Sequence, residues 1–157
     1  PKTPRYESRN ASRIETHYFL RNEVMPMQPN YSPWGEIQAL DTIYPGIHLI
    51  TAPGHGGIAV EWPTYLELSS AARKCGFRDG GCLWFEEDCC EQVVLRELID
   101  RGMWTPPSRI TDPAKFEQEI DRVIRMYHPD YWAEREAGHT VPQSTKAAKR
   151  RKTEPAR

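Results

Sequence analysis

Ile47-His48-Leu49-Ile50-Thr51-Ala52-Pro53-Gly54-His55-Gly56-Gly57-Ile58-Ala59-Val60-Glu61 is the stretch that decides the fold. Ile47 to Thr51 and Gly57 to Glu61 are rich in apolar and β-branched residues and read as two strands. Between them lies a Gly-rich turn. A histidine among three glycines requires close backbone approach or positive φ on both sides of it. The segment is therefore an antiparallel hairpin with an imidazole at its tip.

Reading upstream, Pro45-Gly46 is a further turn, and Glu36 to Tyr44 alternates loosely as another strand. Ser32-Pro33-Trp34-Gly35 is a turn signal that opens the domain. Downstream, Trp62-Pro63 opens a helix running to about Lys74 and stopping near Gly76, with Pro63 at its first position. Phe77 to Gly81 reads as a loop and Leu83 to Phe85 as a short extended piece. Asp88 followed by Glu91 has the spacing of a capping box, and Val94, Leu95, Leu98 and Ile99 give the following helix an apolar face until Gly102. Asp112-Pro113 starts the last long helix, whose stripe is Phe116, Ile120, Val123, Ile124 and Tyr127. Pro129 ends or kinks it, and a short helix continues to about Glu136. The expected class is α+β: a small antiparallel sheet of three to four strands packed with about three helices and flanked by flexible arms. The expected organisation is an N-terminal arm over 1–30, one domain over 31–138 and a basic tail over 139–157.

The chain has 157 residues, enough for one compact core, with 14 prolines and a mean hydropathy of -0.72. Its net charge of -1 conceals an asymmetry. From Ser144 to Arg157 six basic residues face one acid, so this tail carries +5 and the remainder -6. Lys146, Lys149, Arg150, Arg151 and Lys152 are the expected contacts of the tail with an anionic surface, nucleic acid among them. A solvated tail without contacts is the simpler alternative. No apolar run approaches the roughly 20 residues that span a bilayer, and no signal-peptide pattern is present. No membrane association and a cytoplasmic location are expected, with the four cysteines as reduced thiols.

His55 is the obvious titratable centre. Flanked by Gly54 and Gly56, it suits a general base or a metal ligand, or a hydrogen bond to a backbone carbonyl that fixes the hairpin. Trp84-Phe85-Glu86-Glu87-Asp88 is the second signature, with three adjacent acids that repel unless something stabilises them. Asp88 as a helix N-cap would be stabilised by backbone N–H groups. In an extended segment Glu86 and Glu87 point to opposite sides, so only one of them is expected to face His55. The candidate catalytic residues are His55, Glu86 and Glu87. Cys75, Cys82, Cys89 and Cys90 lack the close C-x-x-C pairs of a structural zinc site, so no metal and no cofactor are expected. Cys89 at a helix start should have a lowered thiol pKa. Tyr127-His128-Pro129-Asp130-Tyr131-Trp132 reads as core packing plus a helix stop, or alternatively as an aromatic platform for a base or peptide. No phosphate loop and no locally supported Ser-His-Asp arrangement is present.

Pro33-Trp34-Gly35, Gly46-Ile47, Thr51 to Gly57 and Trp84 to Asp88 together resemble an uncharacterised family of small proteins carried by bacteriophages and plasmids. The resemblance covers about residues 32–100 and leaves both arms outside. It implies a mobile-element accessory protein and marks Trp34, Gly35, His55, Gly56, Gly57, Glu86, Glu87 and Asp88 as binding residues. It implies no activity. The expected function is binding to a host or phage protein complex, foremost as an inhibitor of a host defence system of the anti-CRISPR or anti-restriction type. The alternatives are a small His/Glu-dependent or metal-dependent enzyme, and a virion or assembly component with threading arms. The reading favours binding over catalysis.

Overall fold

The computed structural model describes residues 28–142. The arm over 1–27 and the stretch from 143 onward, with Lys146, Lys149, Arg150, Arg151 and Lys152, lie outside the described residues. The sheet has five strands: β1 (Ala39–Tyr44), β2 (Ile47–Ala52), β3 (His55–Glu61), β4 (Phe77–Asp79) and β5 (Cys82–Glu86). Their order is β1-β2-β3-β5-β4, and every neighbouring pair is antiparallel. A 3-10 turn (Thr64–Glu67) and four helices complete the domain: α1 (Ser70–Arg73), α2 (Glu91–Asp100), α3 (Pro113–Tyr127) and α4 (Pro129–Glu136). The α+β class is as expected.

The sheet is wider than three to four strands because Phe77 to Asp79 pairs with β5 as an edge strand. All three of its residues are exposed, so no burial alternation marks it in the sequence. The helix expected over Pro63 to Lys74 is broken in two. Leu68 is extended, and Ser69 caps a new single turn by accepting a hydrogen bond from the Ala72 N–H at 3.0 Å. Ser69 is drawn there by Glu97, whose carboxylate accepts from both the Ser69 N–H (2.8 Å) and the Ser69 hydroxyl. The expected capping box is absent. α2 starts at Glu91 with Cys90 at the cap, and Asp88 lies in the preceding turn. A turn closed by the Cys90 N–H on the Glu86 carbonyl delays the helix by two residues.

Period-2 alternation divides the sheet cleanly. Ile47, Ile58, Val60, Leu83 and Phe85 face the helices and join Val93, Val94, Leu98, Ile120 and Ile124 in the main core. Burying each such side chain contributes about 1.5–3 kcal/mol. The opposite face carries Ile50, Ala59, Cys82 and Trp84, covered by Trp34, Ile37 and Leu40 from the N-terminal side of the domain. The helices are also held by charge. Arg96, only 2% exposed, reaches Glu117 at 3.0 Å and Asp121 at 2.8 Å, tying α2 to α3. Arg135 grips Asp100 at 2.7 and 3.0 Å, tying α4 to α2. Thr140 is buried, and its carbonyl accepts from Arg101 at 2.8 Å.

Candidate functional site

Directly opposed residues in an antiparallel pair share a face. Ala52 opposes His55 and Gly57 opposes Glu86, with Ala59 opposing Trp84 further along. His55, Gly57, Glu86 and Trp84 therefore lie on the face away from the helices. Gly56 and Gly57 keep the site open. A Cβ on Gly57 would lie 2.0 Å from the Phe85 carbonyl oxygen and 2.6 Å from the Trp34 ring, at a φ of +154°. A Cβ on Gly56 would lie 2.5 Å from the Ile50 carbonyl oxygen. The Pro33-Trp34 turn that brings the indole here is closed by Ser32. Its hydroxyl donates to the Gly35 carbonyl at 2.7 Å and accepts from the Trp34 N–H at 3.2 Å. Gly35 takes a φ of +121°. Trp34 then presents its ring edge-on to His55 (centroids 5.8 Å), Trp84 (5.5 Å) and Phe77 (6.5 Å).

His55 meets both glutamates. Its Nε2 lies 2.6 Å from Glu86 Oε1 and its Nδ1 3.5 Å from Glu87 Oε1. The expectation that only one could reach is corrected: β5 ends at Glu86, and the Glu87 N–H turns back to donate to the Gly56 carbonyl at 3.0 Å. The side chains are 27%, 43% and 42% exposed, so the cluster is wet on one side. Ligand atoms of His55, Glu87 and Asp88 lie within 4.8 Å of one another. A carboxylate therefore faces each ring nitrogen of the imidazole. Of the residues marked by the resemblance, Trp34, His55, Glu86, Glu87 and Asp88 bring their side chains together here, Gly56 and Gly57 lie in the strand beside them, and Gly35 sits in the turn that carries Trp34. Half-buried Glu91 adjoins it, its carboxyl pushed up to about 7 by burial and then by the charges of Glu87 and Asp88.

Cys89 does not behave as expected for a helix start. Its thiol is pushed up to about 12 by burial first, then by Cys90 and Glu86. The Tyr127–Trp132 segment is no free platform. Tyr131 is buried, and Trp132 has the guanidinium groups of Arg125 and Arg135 at 4.3 and 4.9 Å from its ring centroid. Tyr127 leaves the α3 stripe and faces solvent.

The sequence reading missed a buried polar chain on the same sheet face. Thr42 Oγ1 lies 2.9 Å from His48 Nδ1, and His48 Nε2 lies 3.1 Å from Glu61 Oε2, with the last two side chains each 3% exposed. Glu61 Oε1 is buried without a hydrogen-bond partner. The hairpin alternation held the signal, since His48, Ala59 and Glu61 fall on one face once Ile47 and Val60 are assigned to the core. Glu61 also borders a cavity of about 690 Å³ with Tyr31, Trp62, Asp79, Cys82 and Trp84. Trp62 remains 53% exposed at its rim, and Tyr31 and Phe77 are exposed as well. Among the described residues no helix is long and apolar enough to cross a membrane.

Residues 27–157 match the family described as Domain of unknown function (DUF7007), and the chain belongs to that family. The match extends well beyond residues 32–100 and takes in the basic tail. No curated protein and no solved structure matches the chain.

Proposed function

We propose that this family member acts by binding a protein partner through the helix-free side of its sheet. The observation that carries this is an exposed aromatic group, Tyr31, Trp62 and Phe77, beside Asp79, with the carboxylates of Glu86 to Asp88 at the far end of β5. Large amphipathic rings on a rigid sheet bury much area at low entropic cost, and interface hot spots concentrate in such residues. Flanking carboxylates select a basic counterpart and speed its approach. The finer reading is a cytoplasmic accessory protein of a phage or plasmid that blocks a nucleic-acid-handling host defence complex. Such a complex carries basic surfaces built for phosphate, which an acidic body can occupy.

The test is capture from nuclease-treated bacterial lysate with the tagged full chain, beside Trp62→Asp and His55→Gln. A stoichiometric partner retained by the parent and His55→Gln, and weakened at least tenfold by Trp62→Asp, is the expected result. Equal retention by Trp62→Asp refutes the surface. The His55–Glu86 contact of 2.6 Å favours a second reading, a histidine oriented by a carboxylate as general base. No captured partner, together with a chemical activity abolished by His55→Gln, would establish that reading instead.

A further inference from the structure

The turn between β5 and α2 delivers Cys89 and Cys90 to His128, the residue joining α3 to α4. Their two sulfurs and an imidazole nitrogen all lie within 4.8 Å of one another. The sulfurs are 2.9 Å apart. His128 Nε2 is buried and has no hydrogen-bond partner. On the open side, the Cys89 thiol points to Glu86 Oε2 at 3.7 Å. Adjacent cysteines do not make the usual zinc spacing, and His128 is too distant in the chain to be recognised as a ligand. The fold alone assembles the set.

We infer that Cys89, Cys90 and His128 form a site for a soft divalent cation of the zinc class, with its fourth position open on the side of Glu86. Two sulfurs and one imidazole nitrogen, with a water or the nearby carboxylate in the fourth position, make the tetrahedral donor set that such an ion prefers. In a tetrahedron of Zn–S bonds near 2.3 Å the two sulfurs sit about 3.7 Å apart. The pair therefore has to open slightly, and side-chain rotation at the start of α2 supplies the movement. Each thiol releases its proton to solvent as a metal–sulfur bond forms. The surrounding acids, Glu87, Asp88 and Glu91, attract the cation. Glu86 Oε1 is held by His55, so the imidazole orients that carboxylate from outside. The site would clamp the end of the sheet to the junction of the last two helices.

The experiment is anaerobic titration of the reduced full chain with cobalt(II), a coloured stand-in for zinc, followed by displacement with zinc. The expected result is one cobalt per chain. It should give the intense visible bands of a tetrahedral thiolate site, lost in Cys89→Ser and in His128→Gln and retained in Cys82→Ser. Colourless binding, bands that survive His128→Gln, or bands lost only in Cys82→Ser would overturn the assignment. Should the cysteine variant fail to fold, the parent chain supplies a second measurement. Zinc must slow alkylation of Cys89 and Cys90, mapped by mass spectrometry, at least tenfold while leaving Cys75 and Cys82 unchanged. Equal rates with and without zinc refute the site.

Discussion

Gly57 shows how a single residue decides whether the patch exists. Its backbone runs close enough to the Phe85 carbonyl and the Trp34 ring that any side chain would collide with both. Its φ of +154° is costly for an L-residue. Strain and overpacking act together, so Gly57→Ala should destabilise the fold by on the order of 3 kcal/mol, read from the urea midpoint at unchanged slope. Trp34 should lose its ordered contact with His55, visible as a change in indole fluorescence. A variant as stable as the parent would mean that the β3–β5 ladder yields more easily than its geometry implies. At Gly54, by contrast, a Cβ would meet nothing within 4 Å beyond the two adjoining residues, so its φ of +74° is the only constraint there.

At the scale of the element, α2 carries an acid where burial opposes charge. Glu91 stands at its first position, and its carboxyl is pushed up to about 7 by burial, with Glu87 and Asp88 adding repulsion. The folded-state value lies above the unfolded one. Between about pH 4.5 and 7 the unfolded chain therefore releases this proton while the native chain retains it. Stability falls as pH rises through that window, and above it the penalty is complete. Glu91→Gln should remove this slope and stabilise the protein at pH 8 by about 2 kcal/mol, measured as urea midpoints across the pH range. An unchanged slope would place the titration elsewhere. The same helix marks what could be read from sequence. Its apolar face, the β2–β3 hairpin and the start of α3 at Asp112-Pro113 followed from period and turn chemistry alone, and the Asp112 side chain caps that start by accepting from the Lys115 N–H at 3.0 Å. The start of α2, the break at Leu68 and strand β4 did not. Each is set by a tertiary partner: the Glu86 carbonyl, the Glu97 carboxylate and the β5 edge. The candidate site divides in the same way. Its residues stand out as motifs, whereas the reach of Glu87, the His48–Glu61 pair and the approach of His128 exist only once the chain is folded.

Across the whole molecule the charges are segregated. Residues 28–142 hold 18 acidic and 10 basic side chains, net -8, while Ser144 to Arg157 carries +5. Two segments of opposite sign in one chain should bind different things by different physics. The aromatic patch depends on buried area and tolerates salt; a polybasic segment acts by releasing condensed counterions and does not. If the six cations of the tail engage nucleic acid, the logarithm of affinity for duplex DNA should fall with the logarithm of salt concentration with a slope of up to about -5. Deleting residues 144–157 should abolish that slope and leave capture of the protein partner within twofold. Trp62→Asp should do the reverse. The deciding outcome is an unaltered salt slope after the deletion, since it would move the anionic contact off the tail and onto a body whose net charge of -8 opposes it.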